Sequence, residues 1–245
     1  MDEFFALDYH GAPFELFGPA HLAALGVVLA INLLIIANRQ SFSPPLRNRF
    51  RVSLAVVLLV NEAVWHLWNL TTGQWTIQTM LPLHLCSVLV FASAYMLLTR
   101  SYKIFEFAYF LGIGGALQAL LTPDAGIYGF PHLRFFQVII SHGAIVTAAI
   151  YMTFVEGYRP YPASLKRVFI WTNIYIFAVF ILNQVIGSNY LFIAHKPETA
   201  SLIDALGPWP WYILSLEIIG AGMCLLLYAP YAIADLRKKR LLAMG

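Results

Sequence analysis

Long apolar runs alternate with short polar or Gly/Pro-containing connections along this chain, and seven of them, at residues 21–37, 52–70, 81–98, 104–121, 135–155, 168–186 and 211–232, are candidates to cross a membrane. A hydrocarbon core about 30 Å thick requires roughly 20 predominantly apolar helical residues per crossing. The runs meet that length to within a few residues. The pattern predicts an all-α fold, a seven-transmembrane helix bundle, with residues 1–245 as one domain. No internal repeat is visible, which counts against the inverted-repeat transporter folds. Gly112, Gly114 and Gly115 in the fourth run, and Gly220 and Gly222 in the seventh, read as close-packing faces between helices.

Polar groups inside such runs are costly, so their positions carry information. Glu62, His66 and Asn69 close the second run; His84, Cys86 and Ser87 open the third. Gln118 ends the fourth, while Arg134, Gln137, Ser141 and His142 open the fifth. Asn183 and Gln184 close the sixth, and Ser215 and Glu217 lie early in the seventh. Consecutive runs cross in opposite directions, so all these groups fall in one half of the membrane. The other half is largely apolar. Asn32 and Asn173 are its exceptions, and both suit interhelical hydrogen bonds.

Composition agrees: 60% of the residues are hydrophobic and 11% charged, far from the roughly 25% charged of soluble domains. Thirteen of the fifteen Lys and Arg residues (Arg39, Arg47, Arg49, Arg51, Arg100, Lys103, Arg159, Lys166, Arg167, Arg237, Lys238, Lys239 and Arg240) follow the first, third, fifth and seventh runs. Only Arg134 and Lys196 lie on the other side. By the positive-inside rule this predicts a multi-pass protein of the cell membrane, with its N-terminus outside and its C-terminus cytoplasmic. Residues 1–17 contain no Lys or Arg, so a cleavable signal peptide is not expected. The net charge of +3 reflects these loops, and no nucleic-acid partner is expected. The Arg237–Arg240 cluster reads as an anchor on anionic lipid headgroups. Cys86 and Cys224 both lie inside runs and give neither a disulfide framework nor metal-ligand spacing.

Residues three, four and seven apart share a helix face. Glu62, Trp65, His66 and Asn69 form one such stripe; Arg134, Gln137 and Ser141 form another, with His142 beside it. His84 and Cys86 are two apart, about 200° round an ideal helix, which makes a direct dyad poor unless Pro82 distorts the first turn. Cys86 then reads as a small apolar filler among Leu85, Leu89 and Val90. His84 and His142, from different runs at similar depth, are expected to share a site with Arg134 and Gln137.

The stretch LPLHLCS at residues 81–87 is followed by Leu121-Thr-Pro-Asp124. Tyr128-Gly-Phe-Pro-His132-Leu-Arg134-Phe-Phe-Gln137 and Ile140-Ser-His-Gly143 come next. In this order the motifs resemble the bacterial YwaF family of seven-span integral membrane proteins, over nearly the whole chain. That family is distantly similar to the eukaryotic transmembrane protein 164, a cysteine-dependent acyltransferase acting on ether phospholipids. The resemblance matches His84 and His142 to the two histidines of the acyltransferase pattern. Leu83 stands where that pattern has its nucleophilic cysteine, and Cys86 lies three residues further on.

Three functions compete. The first is a membrane enzyme acting on lipid acyl chains: His84 or His142 is the general base, and Cys86 or water is the nucleophile. In that reading Arg134 holds a phospholipid phosphate, and Gln137 or Gln118 donates to the oxyanion. Glu62, His66, Ser141 and Glu217 complete the binding set, and no cofactor is needed. The second is a Zn²⁺ hydrolase with Glu62, His66, His84 and His142 as ligands. The third is a non-catalytic seven-helix receptor, transporter or lipid-binding protein. With no Lys in any run, a retinal Schiff base is excluded.

Overall fold

A computed structural model describes residues 2–197 and 202–244. Its helices are α1 (Pro19–Ala37), α2 (Pro44–Thr71), α3 (Leu85–Thr99), α4 (Tyr102–Phe107), α5 (Ile113–Leu121), α6 (Leu133–Phe154), α7 (Pro162–Ile186) and α8 (Trp211–Met244). A single π turn, Ala108–Gly112, joins α4 to α5, making one apolar segment, Tyr102–Leu121. Proline opens α1, α2 and α7 at the first turn, where the missing N–H has no helical partner to lose.

Six helical segments among the described residues are long and apolar enough to cross a membrane. The third expected span differs, because its helix, α3, has only 15 residues. Pro82 disfavours helical geometry at Leu81, and the Leu83 N–H turns back onto the Leu81 carbonyl at 2.7 Å. Residues 81–84 are therefore non-helical and α3 starts at Leu85.

The chain divides into two compact units. The first comprises Met1–Thr76 and Leu85–Tyr158; the second comprises Ile77–His84 and Arg159–Gly245.

In the first unit α6 is the axis, packing against α1, α2, α3 and α5. Small residues make this close approach feasible: Gly143, Ala144, Ala148 and Ala149 are all buried. A Cβ on Gly143 would meet Val28 Cγ2 at 2.9 Å, and one on Gly112 would meet Ile145 Cγ2 at 3.1 Å. Asn32 Nδ2 donates to Thr147 Oγ1 at 3.2 Å, the interhelical bond expected of that asparagine. Near the C-terminal end of α6, buried Arg51 donates to the Leu97 carbonyl at 3.0 Å, and its Nε lies 3.7 Å from Glu156. A residue read from sequence as a topogenic charge is thus also a packed structural element.

The second unit stitches residues 77–84 to the loop after α7. Gly187 ends α7 at φ 64°, a left-handed conformation that glycine adopts without a Cβ penalty. The amide of buried Asn183 then bonds Tyr190 through both its N–H and C=O, at 2.9 Å each, and accepts from Ser188 Oγ at 2.7 Å. Fully buried Tyr190 donates through its hydroxyl to the Ile77 carbonyl and accepts from the Leu81 N–H, both at 2.8 Å. Asn173 reaches Glu217 Oε2 at 3.3 Å, linking α7 to α8. Gly220 and Gly222 do not mark a close-packed face: an added Cβ at either meets no atom within 4 Å. Their spacing matched a packing stripe, but α8 presents them to open space.

Candidate functional site

Several ionisable groups of the first unit converge where the C-terminal turns of α2 meet the N-terminal turns of α3 and α6. On α2, buried Glu62 faces His66 one turn on, with Oε1 3.6 Å from Nε2. The ring of His66 is held from behind, because Trp75 Nε1–H donates to its Nδ1 at 3.0 Å. That bond makes Nδ1 the acceptor and leaves the imidazole proton on Nε2, toward Glu62.

Arg134, in the first turn of α6, donates from Nη1 to Gln137 Oε1 at 2.6 Å and from Nη2 to the Asp124 carbonyl at 2.9 Å. Its guanidinium carbon stands 4.2 Å over the Trp65 ring. Glu62 and Asp124 are within electrostatic reach, yet among the described residues no carboxylate forms an ion pair with Arg134. The cation is therefore positioned by neutral partners. Asn61 Nδ2 ties α2 to this turn through the Gln137 carbonyl at 3.1 Å.

His142 and Ser141 lie deeper on α6. Ser141 is buried, and His142 Nδ1 bonds the Val138 carbonyl at 2.7 Å, which gives Nε2 the lone pair in the neutral ring. His142 is within electrostatic reach of Arg134, and Cys86 on α3 is within reach of Glu62. Cys86 is partly buried beside the polar cluster of its unit. Gln118 does not join it; that side chain is exposed on α5.

His84 and Glu217 belong to the second unit. His84 precedes α3, so the 200° separation of an ideal helix does not apply to His84 and Cys86. His84 Nδ1 accepts from the Leu191 N–H at 3.3 Å, with its ring against Tyr190 and Phe192. It borders a cleft of about 270 Å³ shared with Gln78, Thr79, Ser188, Asn189 and His195. Leu191 and Phe192 are held there at φ 62° and 53°, costly for residues with a Cβ.

No three His, Cys, Asp or Glu side chains are grouped to hold a metal ion among the described residues. Each ring has its Nδ1 held: that of His66 by Trp75, that of His142 by the Val138 carbonyl and that of His84 by the Leu191 N–H.

Sequence reasoning missed Trp75, the Asp124 carbonyl, His21 and His132 as parts of this end of the unit. His132 follows Pro131 and sits two residues before Arg134, a spacing that suits a helix cap. Trp75 and the Asp124 carbonyl depend on loop geometry that periodicity does not encode, and His21 on the packing of α1 against α5.

A protein-family model described as the TMEM164 family matches residues 16–228, which takes in α1 to α7 and most of α8. No curated protein and no solved structure matches the chain. The family match covers both the α2, α3 and α6 cluster and the His84 cleft, and the chain belongs to the TMEM164 family, as a membrane protein with several apolar helices.

Proposed function

We propose that the protein is a seven-span resident of the cell membrane, N-terminus outside, that binds a phospholipid at its outer side through Arg134 and cleaves or transfers its acyl ester. The observation that carries this reading is a half-buried guanidinium in a membrane helix, stacked on Trp65 and bonded to Gln137 and Asp124, with no carboxylate paired to it among the described residues. Such a group has N–H donors and a full charge left for a phosphodiester oxygen, which arginine binds strongly.

His142 is the proposed general base. Its Nε2 takes a proton from water as the water oxygen bonds to the ester carbonyl carbon. The ester C–O bond then breaks, and the lysolipid alkoxide recovers the proton from His142. Gln137, already fixed by Arg134, and buried Ser141 lie on the same stretch of α6 to orient the ester. Family membership supports a membrane setting for this chemistry. Seven crossings require the short α3 to span together with the non-helical residues before it.

The test is incubation of purified protein with a defined phospholipid, following free fatty acid, lysolipid and protein mass. Arg134→Gln should abolish binding and His142→Ala the release of fatty acid, while Cys86→Ala retains turnover. A thioester-sized adduct that Cys86→Ala removes would replace water by Cys86 as the nucleophile. Unchanged lipid binding in Arg134→Gln would overturn the reading.

A further inference from the structure

The N-terminal segment is strapped across the first unit by its carbonyls. Phe5 O accepts from Trp68 Nε1 at 2.9 Å, Ala6 O from His132 Nε2 at 2.9 Å, and Leu7 O from the Tyr128 hydroxyl at 3.0 Å. Three consecutive carbonyls are thus held by three side chains, one from α2 and two from the connection before α6. His132 is the middle clasp and is completely buried. It stacks on Tyr128 at 4.2 Å, with Tyr9 at 5.0 Å and Trp68 at 5.9 Å.

The other nitrogen of the ring does a second task. His132 is the N-cap of α6, and its Nδ1 accepts the Arg134 main-chain N–H at 3.0 Å. Both bonds require one neutral tautomer, with Nδ1 as acceptor and the proton on Nε2. A second route leads the same way, because Trp68 stacks on Trp65 at 5.3 Å and Trp65 underlies Arg134.

We propose that His132 is a pH-sensitive positioning residue, which when neutral latches the N-terminal strap and fixes the turn carrying Arg134, and when protonated releases both. The step is simple proton uptake from water: a proton on Nδ1 meets the Arg134 N–H as donor against donor, so the ring must turn and Ala6 O loses its partner as well.

The groups facing His132 are Glu3 and Tyr9 from the N-terminal segment, Tyr128 from the preceding turn, Trp68 from α2 and Arg134 from its own helix. Glu3 and the bond to Ala6 favour the protonated ring, but burial outweighs them and holds His132 below the ordinary imidazole value of 6.5. A depressed folded-state value means that the clasp contributes fully above pH 6.5 and is lost as pH falls beneath it.

The coupling to Arg134 rests on the phospholipid reading above, so the experiment has two readouts. A nitroxide on Leu7→Cys, in a chain with Cys86→Ala and Cys224→Ala, reports strap mobility without any ligand. Binding of a short-chain phosphatidylcholine in detergent reports the site. In the wild type the label should be immobile at pH 7.5 and mobile at pH 5, and affinity should fall about 5-fold, the size of one lost helix cap. His132→Asn can still cap but cannot reach Ala6: its label should be mobile at both pH values and its affinity should not change with pH. A wild-type label equally immobile at both pH values, or a His132→Asn variant that keeps the wild-type affinity step, would overturn the proposal. Arg134→Gln binding lipid like the wild type would instead sink the phospholipid reading, while the label still decides the strap.

Discussion

The guanidinium of Arg134 rests on the face of Trp65, 4.2 Å from its centre, and this contact joins α2 to α6 with no close ion pair to Arg134 among the described residues. Trp65→Leu removes the ring but keeps an apolar side chain. A cation–π contact is worth roughly 0.5–2 kcal/mol, so phospholipid affinity should fall about 2- to 30-fold, with Trp65→Phe in between. Titration of purified variants with a fluorescent short-chain phospholipid measures this; equal affinity for Trp65→Leu and wild type would show that the contact does not serve binding.

Much of the fold was legible because lipid imposes a length and an apolar composition on each crossing. The helices α1, α2, α6 and α7 fall within a few residues of their expected runs, apart from extra turns of α2 and α7 that continue into polar sequence. The i, i+4 relation of Glu62 and His66 and the Arg134–Gln137 pair follow from helical spacing and are present. Residues 81–84 were read as helix because their hydropathy is right, while Pro82 and a tight turn decide otherwise. Nor could spacing reveal Trp75 behind His66, since that contact bridges the turn that ends α2.

Glycine spacing suggested packed faces at Gly112, Gly114 and Gly115 and at Gly220 and Gly222, whereas a tight interhelical contact lies at Gly143, outside both. Gly143→Ala places a methyl 2.9 Å from Val28 Cγ2 between α1 and α6, and should destabilise by about 1–3 kcal/mol. Gly220→Ala meets open space and removes a flexible residue from a helix, so stability should hold or rise by up to about 1 kcal/mol. Thermal unfolding in detergent compares them, and equal destabilisation would show that α8 is packed at Gly220.

His21 is buried at 1% exposure, accepting from the Phe17 N–H at 3.0 Å and bonding the Leu120 carbonyl at 2.8 Å. His21→Leu fills similar space but leaves both main-chain groups unpaired. Each buried orphan costs about 1–3 kcal/mol, so a loss of roughly 2–5 kcal/mol is expected. Unfolding measured by accessibility of Cys86 to a thiol reagent reads it; an unaltered transition would mean that water replaces the ring.

Topology is tested by single cysteines in the connections. Sites near Arg47 and Lys166 should label only from the cytoplasmic side, and sites near Gln74, Tyr128 and Pro197 only from outside. The reverse pattern would place the Arg134 cluster on the inner leaflet.

Helix α6 lies at the centre of the first unit, but it is the last of that unit's long helices to be synthesised. The faces of α1, α2, α3 and α5 that meet it have no partner until residue 154 has been made. During synthesis these earlier helices must wait in the bilayer with Asn32 lacking Thr147 and Asn61 lacking the Gln137 carbonyl, a costly state for such polar groups. A ribosome-stalled chain ending before α6 should therefore be the species most readily captured by membrane chaperones and most sensitive to quality-control proteolysis.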